Sequence, residues 1–196
     1  MPRRKKTQEA ELITLPDKPF TEILVEMEIE RIAGGEPGIS VDQNGDPVET
    51  KFQNNVFRRK DDGSRVLIEE KHVKGMLKEV CRLLGLSTEQ RGILFKIRHG
   101  IQVIPSEILI PPGTEIVVRT MPVLLGNRTS LVICETIEQP LKVSFKLRVL
   151  NKGNNEPIVD IKTLKLLFEQ GQAVGIGAKR TLGYGKFKLL KFQVLN

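Results

Sequence analysis

From Thr21 to Ile32 apolar and polar residues alternate. Ile23, Val25, Met27, Ile29 and Arg31 share one face, and Glu26, Glu28 and Glu30 share the other. A period of two with β-branched residues predicts a strand, which Ala33-Gly-Gly-Glu-Pro-Gly38 ends. Over 69–84 the period changes. Val73, Met76, Leu77, Val80, Cys81 and Leu84 form one helical stripe, and Gly85 follows as its stop. The opposite face offers Lys71, Lys74, Lys78 and Arg82, which suits either a solvated or a binding face. From 92 to 149 the chain reads as strands and turns, with β-like runs at 101–103, 107–110, 115–121, 129–134 and 141–150. In the last run Lys142, Ser144, Lys146 and Arg148 face outward, which predicts a basic sheet face. Asp160 is suited to cap a second helix with Ile161, Leu164, Leu167 and Phe168 buried, and 186–195 reads as the last strand.

One helix after the first strand and one before the last is a β-α-β-β-α-β order. The fold class is therefore α+β: a ferredoxin-like core with an insertion between first strand and first helix, and extra strands. Right-handed crossovers set both helices on one sheet face and leave the other open to a partner. The expected organisation is a basic, flexible tail over 1–19, then a single domain over 20–196. The insertion, at about 33–66, holds Asn44-Gly45, Asp46-Pro47, Asn54-Asn55 and Asp61-Asp-Gly63, which predict small hairpins in a functional projection. Asp42, Asp46, Asp61 and Asp62 read as turn residues, and His99 as a loop residue. No internal repeat is evident.

Charge narrows the partner. The 196 residues carry 31 Lys and Arg against 24 Asp and Glu, a net +7, which points to a polyanion, above all nucleic acid. With no Trp, one Tyr and eight Phe, recognition built mainly on aromatic stacking is poorly supplied. No apolar run reaches the roughly 20 residues of a membrane helix, and the basic start lacks the apolar stretch of a signal peptide. We therefore expect a cytoplasmic protein without a membrane partner. Cys81 and Cys134, in apolar surroundings, read as two buried thiols rather than a disulfide framework or zinc site. No metal and no cofactor are expected.

The densest chemical signal lies near the C-terminus. Gly175-Ile-Gly-Ala-Lys-Arg-Thr-Leu-Gly-Tyr-Gly185 places Gly175, Gly177, Gly183 and Gly185 around Lys179 and Arg180, with Lys186 just after. Such backbone can approach a ligand closely, and its N–H groups can cradle phosphate. It can equally be a tight helix-to-strand connection. The Walker A spacing is absent, and the glycines follow a helix rather than a strand, unlike a Rossmann fingerprint. Residues 161–196 hold seven basic residues against one acidic, so most of the net charge is there.

This loop resembles the glycine-rich loop of the RAMP superfamily of CRISPR-associated proteins. Two further segments agree. Val66-Leu-Ile-Glu-Glu-Lys-His-Val-Lys-Gly-Met-Leu-Lys-Glu-Val80 is similar to that family's approach to its first helix, with Val73-Lys74-Gly75 in its Leu-Lys-Gly place. Ile110-Pro-Pro-Gly-Thr-Glu-Ile-Val-Val118 resembles its Ile-Pro-Pro-Gly-Thr strand. The resemblance implies a non-catalytic subunit that holds the phosphate backbone of a crRNA-like single strand in a ribonucleoprotein effector complex. Several copies, or other effector subunits, would be its protein partners. It implies RNA contacts from Arg58, Lys74, Lys78, Lys179, Arg180, Thr181, Tyr184 and Lys186. In the type III backbone subunits a loop Asp supports target cleavage; the similar stretch here, Phe52-Gln-Asn-Asn-Val-Phe-Arg58, has Gln53 at that place, and an amide neither takes a proton nor holds Mg²⁺ as a carboxylate does. Two alternatives stay open. One is a metal-independent crRNA-processing endoribonuclease using His72. The other is a structural or virus-encoded relative that binds a protein.

Overall fold

The computed structural model describes residues 15–39, 47, 54–89, 92–125 and 128–195. Strand β1 (Phe20–Ile29) leads through β2 (Ile32–Ala33), β3 (Glu36–Pro37), β4 (Asn54–Val56) and β5 (Val66–Glu69) to α1 (Glu70–Leu83). Then come α2 (Leu86–Glu89), α3 (Ile93–Gly100), β6 (Ile101–Ile104), β7 (Glu107–Leu109), β8 (Val117–Leu125), β9 (Arg128–Ile137) and β10 (Leu141–Leu150). Helix α4 (Ile161–Val174) and β11 (Phe187–Leu195) complete the chain.

The main sheet has the order β11-β1-β10-β6, all antiparallel, which is the ferredoxin-like arrangement. Its alternation is the predicted one. Ile23, Val25, Met27 and Ile29 are fully buried and face Phe145, Leu147 and Val149 of β10 in one core with both long helices. From α1 the stripe Val73, Met76, Leu77, Val80 and Cys81 enters that core, and from α4 Leu164, Leu167 and Phe168. Each such side chain contributes about 1.5–3 kcal/mol. The helices approach closely at Gly171, where a Cβ would lie 2.3 Å from the Met76 sulfur. Asp160 caps α4 by accepting from the Thr163 N–H at 3.0 Å, and Gly85, at φ +72°, ends α1. Leu84 departs from the expected stripe: it sits in the cap, 40% exposed, because the helix stops one residue before it. Cys81 and Cys134 are both buried free thiols, and burial pushes Cys81 up to about 11.

The insertion does not stand apart. Strand β9 collects a second sheet, with β8 along one edge and β2 and β4 along the other; β3 then pairs with β4. Glu135 of β9 locks this join. Its carboxylate, 1% exposed, accepts the Phe57 N–H at 3.0 Å and meets Arg59 at 3.4 Å and Arg65 at 3.3 Å. The Asp61-Asp-Gly63 turn is a hairpin tip, with Asp62 accepting from the Ser64 N–H at 2.9 Å. The readings of Asp42, Asp46, Gln53 and residues 1–14 lie outside the described residues.

Two expectations need correction. The stretch 93–100 is a helix, not part of a strand-and-turn series, and His99 sits in its last turn, its ring tilted against Phe95 with centroids 4.5 Å apart. Its two buried side chains, Ile93 and Ile97, give too few turns for a period to show. The open face of the main sheet is also less basic than β10 alone implies. Glu22, Glu26 and Glu28 of β1 stand between the bases of β10 and β11, with Glu22 paired to Arg148 at 2.7 Å and to Lys146 at 3.4 Å. Glu28 is in register with both Lys142 and Lys188. One strand's alternation cannot show the charges its neighbours bring.

Candidate nucleic-acid interface

The glycine-rich loop begins where α4 ends and lies between the two sheets. All four of its glycines, and Lys179 at φ +54°, adopt the left-handed region. Gly185 is the most constrained. A Cβ there would lie 1.8 Å from the Ile176 carbonyl oxygen. The Ile176 N–H donates to the Gly185 carbonyl at 2.8 Å, and the Gly185 N–H donates to Arg31 at 2.8 Å. These bonds pinch the loop shut and tie it to the end of β1. Ile176 drops into the main core, while Tyr184 and Leu182 pack on Ala33, Met121, Val132 and Cys134 under the second sheet. Between them Arg180–Leu182 makes one 3₁₀ turn that carries Lys179, Arg180 and Thr181 outward.

The sequence-predicted residues divide by what they touch. Arg180 is 2.5 Å from Glu79 of α1, which bridges loop and helix. Tyr184 is buried, and its hydroxyl donates to Glu138 at 2.9 Å. Burial, then that carboxylate, raises its pKa, so it stays a donor. Lys74 is paired with Glu70 and donates to the Arg98 carbonyl at 2.9 Å, so its ammonium ties α1 to α3. Thr181 and Lys186 lie exposed. Among the described residues the ammonium groups of Lys78, Lys179 and Lys186 have neither a hydrogen bond nor an ion pair.

Arg58 and His72 lie at the start of α1. Arg58 bridges Glu107 of β7 and Glu69, the latter at 3.3 Å. Hydrogen bonding to Arg58 holds Glu107 below the usual carboxylate range. Lys71 reaches Glu36 of β3 at 2.5 Å and lowers its pKa. His72 closes a capping box: its Nδ1 accepts the Glu69 N–H at 3.2 Å, so the neutral ring carries its proton on Nε2. Burial holds its pKa below the usual imidazole value. The ring lines a cavity of about 20 Å³ with Arg58, Glu36, Gly35, Gly177 and Ala178, room for about one water molecule. Among the described residues no group of three or more His, Cys, Asp or Glu is placed to hold a metal ion.

Sequence reasoning missed two arginines. Arg31 does not continue the face of β1; it lies over the Tyr184 ring, 4.7 Å from its centroid, and donates to the Leu182 carbonyl at 3.3 Å. Arg119 of β8 meets Glu138 at 3.3 Å. Only the return of the loop 150 residues later turns Arg31 aside, and nothing local signals that.

This architecture has a solved counterpart. The chain superposes on one in the cryo-EM structure of the Type III-B Cmr-beta bound to cognate target RNA, with a TM-score of 0.57 and 14% sequence identity. The match covers 91% of this chain and 61% of that one, and what it shows is a shared fold. No family model and no curated protein matches the chain. No described helix is long and apolar enough to cross a membrane.

Proposed function

We propose that the chain is a non-catalytic RNA-binding subunit of a CRISPR-type ribonucleoprotein, a RAMP-like subunit that holds the phosphate backbone of a crRNA-like strand against its glycine-rich loop. Its partners would be further copies or other effector subunits, in the cytoplasm. The observation that carries this reading is that, among the described residues, the ammonium groups of Lys78, Lys179 and Lys186 have no hydrogen bond or ion pair, the last two lying in or beside a loop that is tied to β1, to α1 and to both cores. Most other cations near it are spent on Glu36, Glu69, Glu79, Glu107 or Glu138. The shared fold with a chain from an RNA-bound assembly supports the same reading.

Fluorescence anisotropy with labelled single-stranded RNA at several salt concentrations tests it. Each phosphate contact on a single strand adds about 0.7 to the slope of log K against log salt. Replacing the three lysines with Ala should flatten the slope by about 2. No affinity at low salt would end the RNA reading; a partner protein retained at high salt would favour a protein-binding role instead. The endoribonuclease reading draws on a neutral His72 beside Arg58. Its Nδ1 is already engaged in the cap, and the adjoining cavity admits about one water molecule. Metal-free cleavage of a repeat RNA that His72→Ala abolishes would establish it.

A further inference from the structure

We propose that the Arg31 guanidinium is a platform on which one nucleobase of a bound RNA strand stacks. This deepens the RNA-binding reading above and rests on it. Four observations converge on Arg31. Its guanidinium carbon lies 4.7 Å from the Tyr184 ring centroid, so one side of the group is covered by an aromatic ring that is only 7% exposed. One of its nitrogens donates to the Leu182 carbonyl at 3.3 Å, which fixes the rotation of the group. A Cβ at Gly183 would come within 3.0 Å of the same nitrogen, so the glycine leaves the space the guanidinium occupies. The side chain is exposed and, among the described residues, has no carboxylate within ion-pair distance; Glu138, which accepts from the same tyrosine, is paired with Arg119 and acts on Arg31 only from beyond that distance.

The result is a planar cation on the surface, covered on one side by the Tyr184 ring and otherwise exposed, near Lys179, whose ammonium has no ion pair among the described residues. Guanidinium planes stack on the π-faces of bases whatever the base, whereas a lysine ammonium offers charge without a plane. The chain is poor in aromatic residues, and its one tyrosine is buried. An arginine backed by that tyrosine is how it can still grip a base. Lys78, Lys179 and Lys186 would hold phosphates, and Arg31 would set where a base sits between them.

The test compares two probes of equal length and charge: a short oligoadenosine, and the same phosphodiester chain with every base replaced by the stable tetrahydrofuran abasic analogue. The parent protein should prefer the base-bearing strand by about tenfold, the usual worth of one stacked base. Arg31→Lys, which keeps the charge but not the plane, should bring that preference close to one while costing far less affinity for the abasic strand than for the base-bearing one. Arg31→Ala should lose the preference and some abasic-strand affinity as well. Arg31→Lys retaining the tenfold preference, or a parent that binds both strands equally, overturns the platform and leaves the backbone-binding reading intact. A parent that binds neither strand at low salt overturns both.

Discussion

Replacing Gly185 with Ala probes whether the glycine-rich loop is held by steric necessity. Gly185 has φ +78°, and an added Cβ would lie 1.8 Å from the Ile176 carbonyl oxygen. The left-handed backbone alone costs an alanine about 1–2 kcal/mol. The contact cannot be relieved by a side-chain rotation, because the atom it strikes is backbone. Ile176, fully buried, must move. That strains the Ile176–Gly185 and Gly185–Arg31 hydrogen bonds, both 2.8 Å, at about 1 kcal/mol each. The sum is about 3–4 kcal/mol, or a fall in melting temperature of about 10 °C for a chain of this size. Gly63 is the control. It has φ +80° but nothing within 4 Å of an added Cβ, so Gly63→Ala carries the backbone strain alone, about 1–2 kcal/mol. Circular dichroism melts of the two variants beside the parent decide it. Equal destabilisation would refute the reasoning, since it would mean that the Ile176 contact relaxes without loss.

Three further outcomes follow from the same geometry. Gly75 lies inside α1 with open space where a Cβ would go, so Gly75→Ala should stabilise by about 0.5–1 kcal/mol in urea titrations; a parallel loss of RNA affinity would show that the strand passes over this helix face. Glu135→Ala strands the buried Phe57 N–H and two arginines, and should cost about 3 kcal/mol and speed proteolytic nicking of the insertion, whereas Glu135→Gln, which keeps an acceptor, should cost less. His72 has its folded pKa below the unfolded value of about 6.5, so the unfolded chain binds the extra proton first and stability falls as pH drops below that value. His72→Gln should flatten the stability profile between about pH 7 and 5.5, before the carboxylates begin to titrate.

Much of the core was legible because it is written in local periods. The alternation of β1 and β10, the stripes of α1 and α4, the Asp160 cap and the Gly85 stop each depend on neighbours a few residues away. The four glycines of the loop were likewise visible as a cluster, and each adopts a positive φ. Those local signals, in order, were enough for the ferredoxin-like arrangement. Helix α3 escaped because a segment so short leaves no period to read.

What tertiary structure alone decided is which polar groups are already satisfied. Asn54 and Asn55 lie parallel to Ile133 and Cys134 in β9, a pairing no local pattern announces. The Lys and Arg that alternate along β10 are partly offset by glutamates of β1. Arg58 and Arg180, equal to Lys78, Lys179 and Lys186 as sequence positions, are bound to carboxylates brought from elsewhere, and Lys74, paired with Glu70 one turn away, is also drawn onto the Arg98 carbonyl of α3. Arg31, which the alternation assigns to a strand face, is drawn over Tyr184. Burial follows period, and period is local. Charge balance at a surface depends on every chain segment within a few ångströms, and only the folded chain sets that company.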